Sequence, residues 1–334
     1  DWVYCLKKNW LNCSRKEVLI MKKILLNGVD GNFGGKSAGI LLEKYPHEDL
    51  IFTAPREKAL KKYKEMGIET RVADFNNAET LVETFKGADT VVLISMPFVG
   101  PKRRAAHKTA IDAAVRAGVK KLVYTSIVGA GEKDINTYEV NDHVWTENYI
   151  KEQPIHYLIL RDSQYAEAMV SSFVEAYERT NGVLANNMGE GKMAFISRDD
   201  CATAAAYAAM SEDIDKVLNI NGAELLTIAD FLEIASEVTG KKVVYKYITD
   251  DEMYAYFDSI GVPRTTEEMW ADTAKNFPFC SDGMVTFGKA IRQNQMSVYT
   301  NDFEKLTGRK PLFVRQIFED FSNHLIGNRT STDN

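Results

Sequence analysis

From residue 21 onward the chain alternates short apolar runs with segments whose apolar residues recur every three to four positions. That alternation is the pattern of βαβ units built around a parallel sheet. Strands are expected at 24–26, 50–53, 68–73, 91–95, 121–125 and 157–160, and helices between them at 36–45, 56–66, 79–85, 105–117 and 143–151. Gly67, Gly87 and Gly118 stand just past three successive helices, where a left-handed backbone is cheapest for glycine. Beyond residue 161 the pattern loosens. Helices at 165–179, 200–210 and 228–239, a strand at 217–220 and an alternating edge strand at 242–248 are expected there. Two or three short helices rich in Met, Tyr, Phe and Trp should follow within 250–300. The expected fold class is α/β: a Rossmann-type doubly wound parallel sheet with a smaller, mostly helical, interleaved substrate lobe. The expected divisions are an N-terminal extension over 1–20, a nucleotide-binding domain over 21–162, a substrate lobe over 163–327 that shares elements with it, and a frayed polar tail over 328–334.

Composition narrows the partners. A chain of 334 residues, 45% of them hydrophobic, can bury an α/β core and a second lobe. A net charge of −6 argues against nucleic acid. No apolar run approaches the roughly 20 residues that cross a bilayer, so no membrane partner is expected. Cys5, Cys13, Cys201 and Cys280 have no metal-ligand spacing and read as reduced thiols of a cytoplasmic protein. Lysines and asparagines interrupt the apolar stretches of residues 1–20, which reads as an upstream extension rather than a signal peptide, or else as a short amphipathic arm.

The first strand runs into ILLNGVDGNFGGKSAG, which places Gly28, Gly31 and Gly34 between a strand and a helix. Gly28 permits a tight turn, Gly31 lets the backbone approach a pyrophosphate, and Gly34 lets the helix pack closely on the strand. Asn32 and Phe33 lie within the same loop, and Asp30 is expected to turn back onto backbone N–H groups. An NAD binder would carry Asp or Glu roughly 20 residues past the last motif glycine. That count reaches Ala54, in Thr53-Ala54-Pro55-Arg56, where there is no carboxylate. Arg56, with Lys58 or Lys36 nearby, could pair with a 2′-phosphate, which favours NADP(H) over NAD(H). The alternative is an ordinary solvated helix start.

These residues resemble the atypical short-chain dehydrogenase/reductase family, in its NmrA-like branch, which contains NADPH:quinone and triphenylmethane dye reductases. The resemblance runs from about residue 21 to 326. It rests on the glycine loop, Val72-Ala73-Asp74-Phe75, Leu93-Ile94-Ser95, AAVRAGVKKLVYTS (113–126), His143 with Glu147, LRDSQYAE (160–167), GEGKMAFISRDDCATAAA (189–206) and LTGRKP (306–311). It implies that Asp74 and Phe75 border the adenine and that Ser95, Met96 and Pro97 line the cofactor trough. It also implies that Thr125 and Ser126 sit beside the nicotinamide; strand-end capping is their other reading. The sequence departs from the family in three places: Val29 and Asp30 fill the middle of the loop, Pro55 stands where an arginine is usual, and Asp162 replaces a frequent asparagine.

Among groups able to do chemistry, no Tyr-x-x-x-Lys pair is present from residue 21 onward; the resemblance places the catalytic lysine of related reductases at His143. His143 could hydrogen-bond the nicotinamide ribose or donate a proton, oriented by Glu147 one turn on. Tyr165 could reach a substrate through its hydroxyl. Either could equally be structural. Phe98, Tyr254, Tyr256, Phe257, Trp270, Phe277 and Phe279 could wall an aromatic pocket or form the small lobe's core. The implied activity is an NADPH-dependent hydride transfer to a flat, apolar small molecule: a quinone first, then a dye, steroid or polyphenol carbonyl or enone. A non-catalytic, NADP(H)-sensing regulator is the second reading, and an epimerase or dehydratase that retains its cofactor is a third. No metal site is expected, and a homodimer is common in this class.

Overall fold

The computed structural model describes residues 22–97, 99–132, 134–269, 277 and 279–324. Two aromatic candidates, Phe98 and Trp270, lie outside the described residues, as do the first twenty residues and the tail.

The first half is strand after helix: β1 (Ile24–Leu26), α1 (Asn32–Lys44), β2 (Leu50–Ala54), α2 (Glu57–Glu65), β3 (Glu69–Val72), α3 (Ala78–Phe85), β4 (Thr90–Leu93), α4 (Pro101–Arg116), β5 (Lys121–Ile127), α5 (Tyr138–Lys151) and β6 (His156–Asp162). The second half runs α6 (Ala166–Arg179), β7 (Val183–Asn186), α7 (Arg198–Met210), β8 (Lys216–Ile220), α8 (Ile228–Thr239), β9 (Val244–Tyr247), α9 (Asp250–Ile260), α10 (Thr266–Met269), α11 (Ser281–Arg292), α12 (Asp302–Thr307) and α13 (Val314–Glu319).

Seven parallel strands make the central sheet, in the order β3-β2-β1-β4-β5-β6-β8. The order reverses between β1 and β4, so the crevice at the carboxyl ends of those strands is where an open α/β sheet takes its ligand. Residues of β1, β2 and β4 are buried on both faces, as a sheet covered by helices on each side requires, while the edge strands β3 and β8 are partly exposed. Leu26, Phe52, Val92, Val123 and Leu160 face one core layer, with α1 and α7. Leu25, Ile51, Val91, Tyr124 and Ile159 face the other, with α3 and α4.

Strand β8, expected at 217–220, pairs with β6 and makes the sheet seven-stranded. Three helices begin four or five residues earlier than the sequence pattern suggests. Helix α5 begins at Tyr138 instead of 143, capped by Thr137. Helix α1 begins at Asn32 instead of 36, because Gly34 and Gly35 are helical despite their poor propensity; packing against the strand overrides it. Helix α4 begins at Pro101 instead of 105, with proline in its first turn, where no N–H is needed.

The small lobe is built on a two-stranded parallel sheet of β7 and β9, with α6, α8 and α13 around Phe173, Phe231 and Phe318. Its outer part clusters Met253, Phe257, Val262 and Val285, with Tyr254, Phe277 and Phe279 packed against them. These aromatics therefore form lobe core, while Tyr256 is exposed. Among the described residues no helix is long and apolar enough to cross a membrane, and no group of side chains could hold a metal ion.

Candidate cofactor and acceptor site

The loop after β1 is shaped by three backbone bonds: Val29 N–H to Thr53 O (3.1 Å), Gly31 N–H to Gly28 O (3.1 Å) and Gly35 N–H to Gly31 O (2.8 Å). Gly28 has φ +67°, which side chains rarely adopt. A Cβ at Gly34 would stand 2.1 Å from Gly28 O, so only glycine lets the helix lie this close to the turn. At Gly31 the nearest atom to such a Cβ is 3.5 Å away, so the fold itself would accept a side chain there. What glycine provides at Gly31 is a bare backbone facing the crevice. Helix α1 starts with no side-chain cap and no acidic residue in its first turn, which leaves its leading N–H groups and its positive end to an anion. Asn32 is exposed in that turn, and Phe33 is buried beneath it.

Arg56 stands two residues past β2, exposed at the N-cap of α2, with Lys58 the second residue of the helix. Lys36 is engaged in an ion pair with Asp199, 2.8 Å away. Asp74 and Phe75 follow β3 on the same edge. Asp74 is exposed and its Oδ1 accepts the Asn76 N–H (2.9 Å), while Phe75 packs on the core.

The segment after β4 is tied down by three acceptors from elsewhere. Asn27 Oδ1 accepts from Ile94 N–H (2.8 Å), Thr125 Oγ1 from Ser95 N–H (2.8 Å) and His107 Nε2 from Met96 N–H (3.0 Å). Because its Nε2 accepts, His107 carries its proton on Nδ1 and donates it to Thr146 Oγ1 (3.0 Å), whose own proton goes to Asp142 O (2.8 Å). Burial, with Arg103 adding to it, pushes the His107 imidazole down to about 3, so this neutral arrangement holds throughout the physiological range. Pro97 is exposed at the lip.

His143 lies behind that segment. Its Nδ1 is 2.7 Å from Tyr124 Oη and its Nε2 3.5 Å from the Arg103 guanidinium, whose Nε donates to Met96 O (3.1 Å). Arginine only donates, so the tautomer that suits both neighbours has its proton on Nδ1. Burial, then Arg103 and His107, drive its pKa well below the usual histidine value.

Glu147 does not orient His143, contrary to the sequence expectation. Its carboxylate takes a two-pronged bond from Arg161 (2.8 and 2.7 Å), the Ser126 hydroxyl (2.7 Å) and Lys151 (3.1 Å). Burial alone would raise its pKa, but these partners outweigh it and hold the carboxyl below the usual range. Alternation along β5 explains the split: Tyr124 and Ser126 point toward α5, and Thr125 points the other way.

At the end of β6, Tyr165 is half-buried at the N-cap of α6, its hydroxyl 3.4 Å from Asp162 Oδ2. Burial raises the Asp162 pKa well above the usual value, against the hydrogen bonds of Tyr165 and Cys201. Three consecutive residues here, Asp162, Ser163 and Gln164, each carry a buried side-chain oxygen with no hydrogen-bond partner among the described residues. Buried polar atoms are nearly always paired, so this run is suited to a ligand's polar group, such as a carboxamide. It stands at the third strand along from β1, about 14 Å away at the usual strand spacing. A diphosphate at the glycine loop and an amide at the β6 end would thus share one crevice, and the residues present fit a nicotinamide dinucleotide.

Sequence reasoning missed Asn27, Arg103, His107, Tyr124 and Asp142. Only Asn27 carried a local signal, as the polar residue leading into Gly28. The others converge from α4, β5 and α5, and no spacing within one element reveals them.

The family model described as "NmrA-like family" matches residues 21–286. The chain belongs to the NmrA-like family. Quinone oxidoreductase 2 of Escherichia coli is 28% identical over 75% of this chain and 86% of its own length. The structure of the NADPH-dependent quinone oxidoreductase of Escherichia coli with NADPH superposes with a TM-score of 0.79 at 24% identity, covering 90% of this chain and all of that one. Triphenylmethane reductase of Citrobacter sp. complexed with NADP(H) gives 0.74 at 26% identity, over 90% of this chain and 99% of that one.

Proposed function

We propose that this NmrA-like chain is an NADPH-dependent reductase of a flat, apolar acceptor, a quinone-like molecule first and a dye, steroid or polyphenol carbonyl or enone next. The observation that carries the reading is the glycine loop. Gly34 is forced by contact with Gly28, Gly31 is bare toward the crevice, and no carboxylate stands at the end of β2 to claim the adenosine ribose. The similarity to an NADPH-dependent quinone oxidoreductase and a triphenylmethane reductase supports the same reading.

When bound, NADPH would supply the hydride. The chain's part is to bind and align. Asn32, Phe33 and Gly34 would hold the diphosphate through backbone N–H groups, with Gly28 making the turn and Gly31 leaving room for the approach, and Arg56 would hold the 2′-phosphate. Asp74 and Phe75 would flank the adenine. Ser95, Met96, Pro97 and Thr125 would form the trough, rigid because its backbone is bonded to Thr125 and His107. Ser126 spends its hydroxyl on Glu147, so its role beside the nicotinamide is through its backbone. His143, neutral and enclosed by Tyr124 and Arg103, supports that wall and has no proton to give near pH 7. Tyr165 is the phenol nearest the β6 run and is assigned to the acceptor side. Alignment and exclusion of water are the main contributions such a transfer needs.

The test is steady-state oxidation of NADPH by purified protein across a panel of quinones. Quinone-dependent turnover supports the reading. A folded protein that binds NADPH and turns over none of the panel rejects it.

A further inference from the structure

The first turn of α5 carries an acid that the reading above does not use. Thr137 caps the helix by accepting the Val140 N–H, and Tyr138 and Glu139 follow within the first turn. Glu139 stands four residues before His143, about 6 Å further along the axis toward the crevice end of the sheet. Three elements meet there. Gly100, at the end of the post-β4 segment, donates its N–H to Asp142 of α5 (2.6 Å), and a Cβ on it would lie 3.1 Å from Thr266 of α10. Helix α11 closes the third side: a Cβ at Gly283 would be 2.9 Å from Glu139 Oε1 and 3.5 Å from Cys280 Sγ. Glu139 therefore sits where the small lobe folds over the Rossmann crevice.

Two side-chain oxygens on the elements that meet here are buried and have no hydrogen-bond partner among the described residues: Glu139 Oε2 on α5 and Ser281 Oγ, the residue after Cys280, at the start of α11. Burial raises the Glu139 pKa against hydrogen bonds from its own backbone and the Thr137 side chain and against the pull of the Arg103 charge, with Asp142 reinforcing the rise. The groups facing it are Arg103 from α4, Asp142 on its own helix, and Cys280 at the start of α11, whose thiol burial in turn pushes up. A buried carboxyl whose pKa is raised, with one oxygen uncommitted, is suited to hold and pass a proton, and His143, driven well below the usual histidine value, is not.

We propose that Glu139 is the proton donor to the reduced acceptor, with Ser281 as a second hydrogen-bonding group on the same acceptor. This rests on the reductase reading. For a quinone, hydride adds to the electrophilic ring system and its electron pair passes to a carbonyl oxygen. That oxygen takes the proton from the Glu139 carboxyl, and the carboxylate left behind is reprotonated from solvent. A cationic triarylmethane dye needs no such acid: hydride alone neutralises its central carbon.

The experiment compares wild-type protein with Glu139→Gln and Glu139→Asp on a quinone and on malachite green, with circular dichroism and NADPH affinity recorded for each. Quinone kcat in wild type is expected to fall as pH rises through the Glu139 ionisation. Glu139→Gln should lower quinone kcat by roughly 100-fold, the usual worth of a general acid, and lose the alkaline limb. Its loss on the dye should be at least about tenfold smaller, and Glu139→Asp should restore part of the quinone rate with a shifted limb. Independently of turnover, cofactor-free wild type should show the infrared carbonyl band of a buried protonated carboxyl, absent in Glu139→Gln. Equal losses on both acceptors, an undiminished quinone rate, or no such band would overturn the assignment. If wild type binds NADPH yet reduces neither acceptor, the reductase reading itself is what has failed.

Discussion

Gly34 is the residue where the loop is least forgiving. Its neighbour Gly28 O would lie 2.1 Å from any Cβ, so Gly34→Ala must push the turn and the start of α1 apart. Overpacking of this kind costs about 1–3 kcal/mol. Gly34→Ala should therefore lower the melting temperature and weaken NADPH binding together, read by thermal denaturation and cofactor titration. Gly31 is the contrast. Its Cβ position is open, so Gly31→Ala should leave stability nearly untouched and lose cofactor affinity alone. The sequence motif already assigns Gly34 to close packing and Gly31 to a ligand's approach; the structure adds the distances, 2.1 Å at Gly34 and 3.5 Å at Gly31. Histidine was less legible: His143 stood out in the sequence, while His107, which fixes the Met96 backbone, carried no local mark.

At the scale of elements, the polar contacts between α5 and the sheet were the part least legible beforehand. Glu147 of α5, Ser126 of β5 and Arg161 of β6 come together only once three elements are docked. Glu147 is almost wholly buried, and removing its charge leaves Arg161 facing a low-dielectric interior. Glu147→Gln should destabilise the protein by about 3–5 kcal/mol, seen as a lower urea midpoint with an unchanged slope. A second case is Lys121, which opens a buried strand. Its ammonium donates to the carbonyls of Ala208 and Ala209 at the end of α7, and burial brings its pKa down to about 8. Periodicity did place the strands β1 to β6 and the helices between them, because a sheet covered on both faces writes continuous apolar runs. Strand β7 escaped because Ala185 is exposed within it and its partner β9 lies about sixty residues downstream.

At the scale of the whole molecule, the two lobes are stitched by chain that crosses back. Strand β8 and helix α7 return to the central sheet after α6 and β7 have begun the small lobe. The last described turn, Phe321–His324, closes on the same region. His324 Nδ1 is 3.0 Å from Glu167 Oε1, and Glu167 also accepts the Arg198 N–H at the start of α7. The hydrogen bond to Glu167, with the charges of Glu167, Asp199 and Asp320, raises the His324 pKa against its burial. A histidine whose folded pKa exceeds its unfolded value gives its full stability below the unfolded pKa and loses it as pH rises through the folded one. Unfolding free energy should therefore fall between about pH 6.5, the ordinary histidine value, and the raised folded value. His324→Gln should flatten that step. A step that persists in the variant belongs to another group.

This crevice is expected to hold a nicotinamide dinucleotide by its diphosphate and to prefer the phosphorylated ribose. Titration calorimetry of the purified chain with NADPH and with NADH tests it most directly. NADPH should bind saturably and roughly tenfold or more tighter than NADH, the worth of one charge-assisted hydrogen-bonding pair. Absence of heat with either nucleotide, on protein shown to be folded, would contradict it.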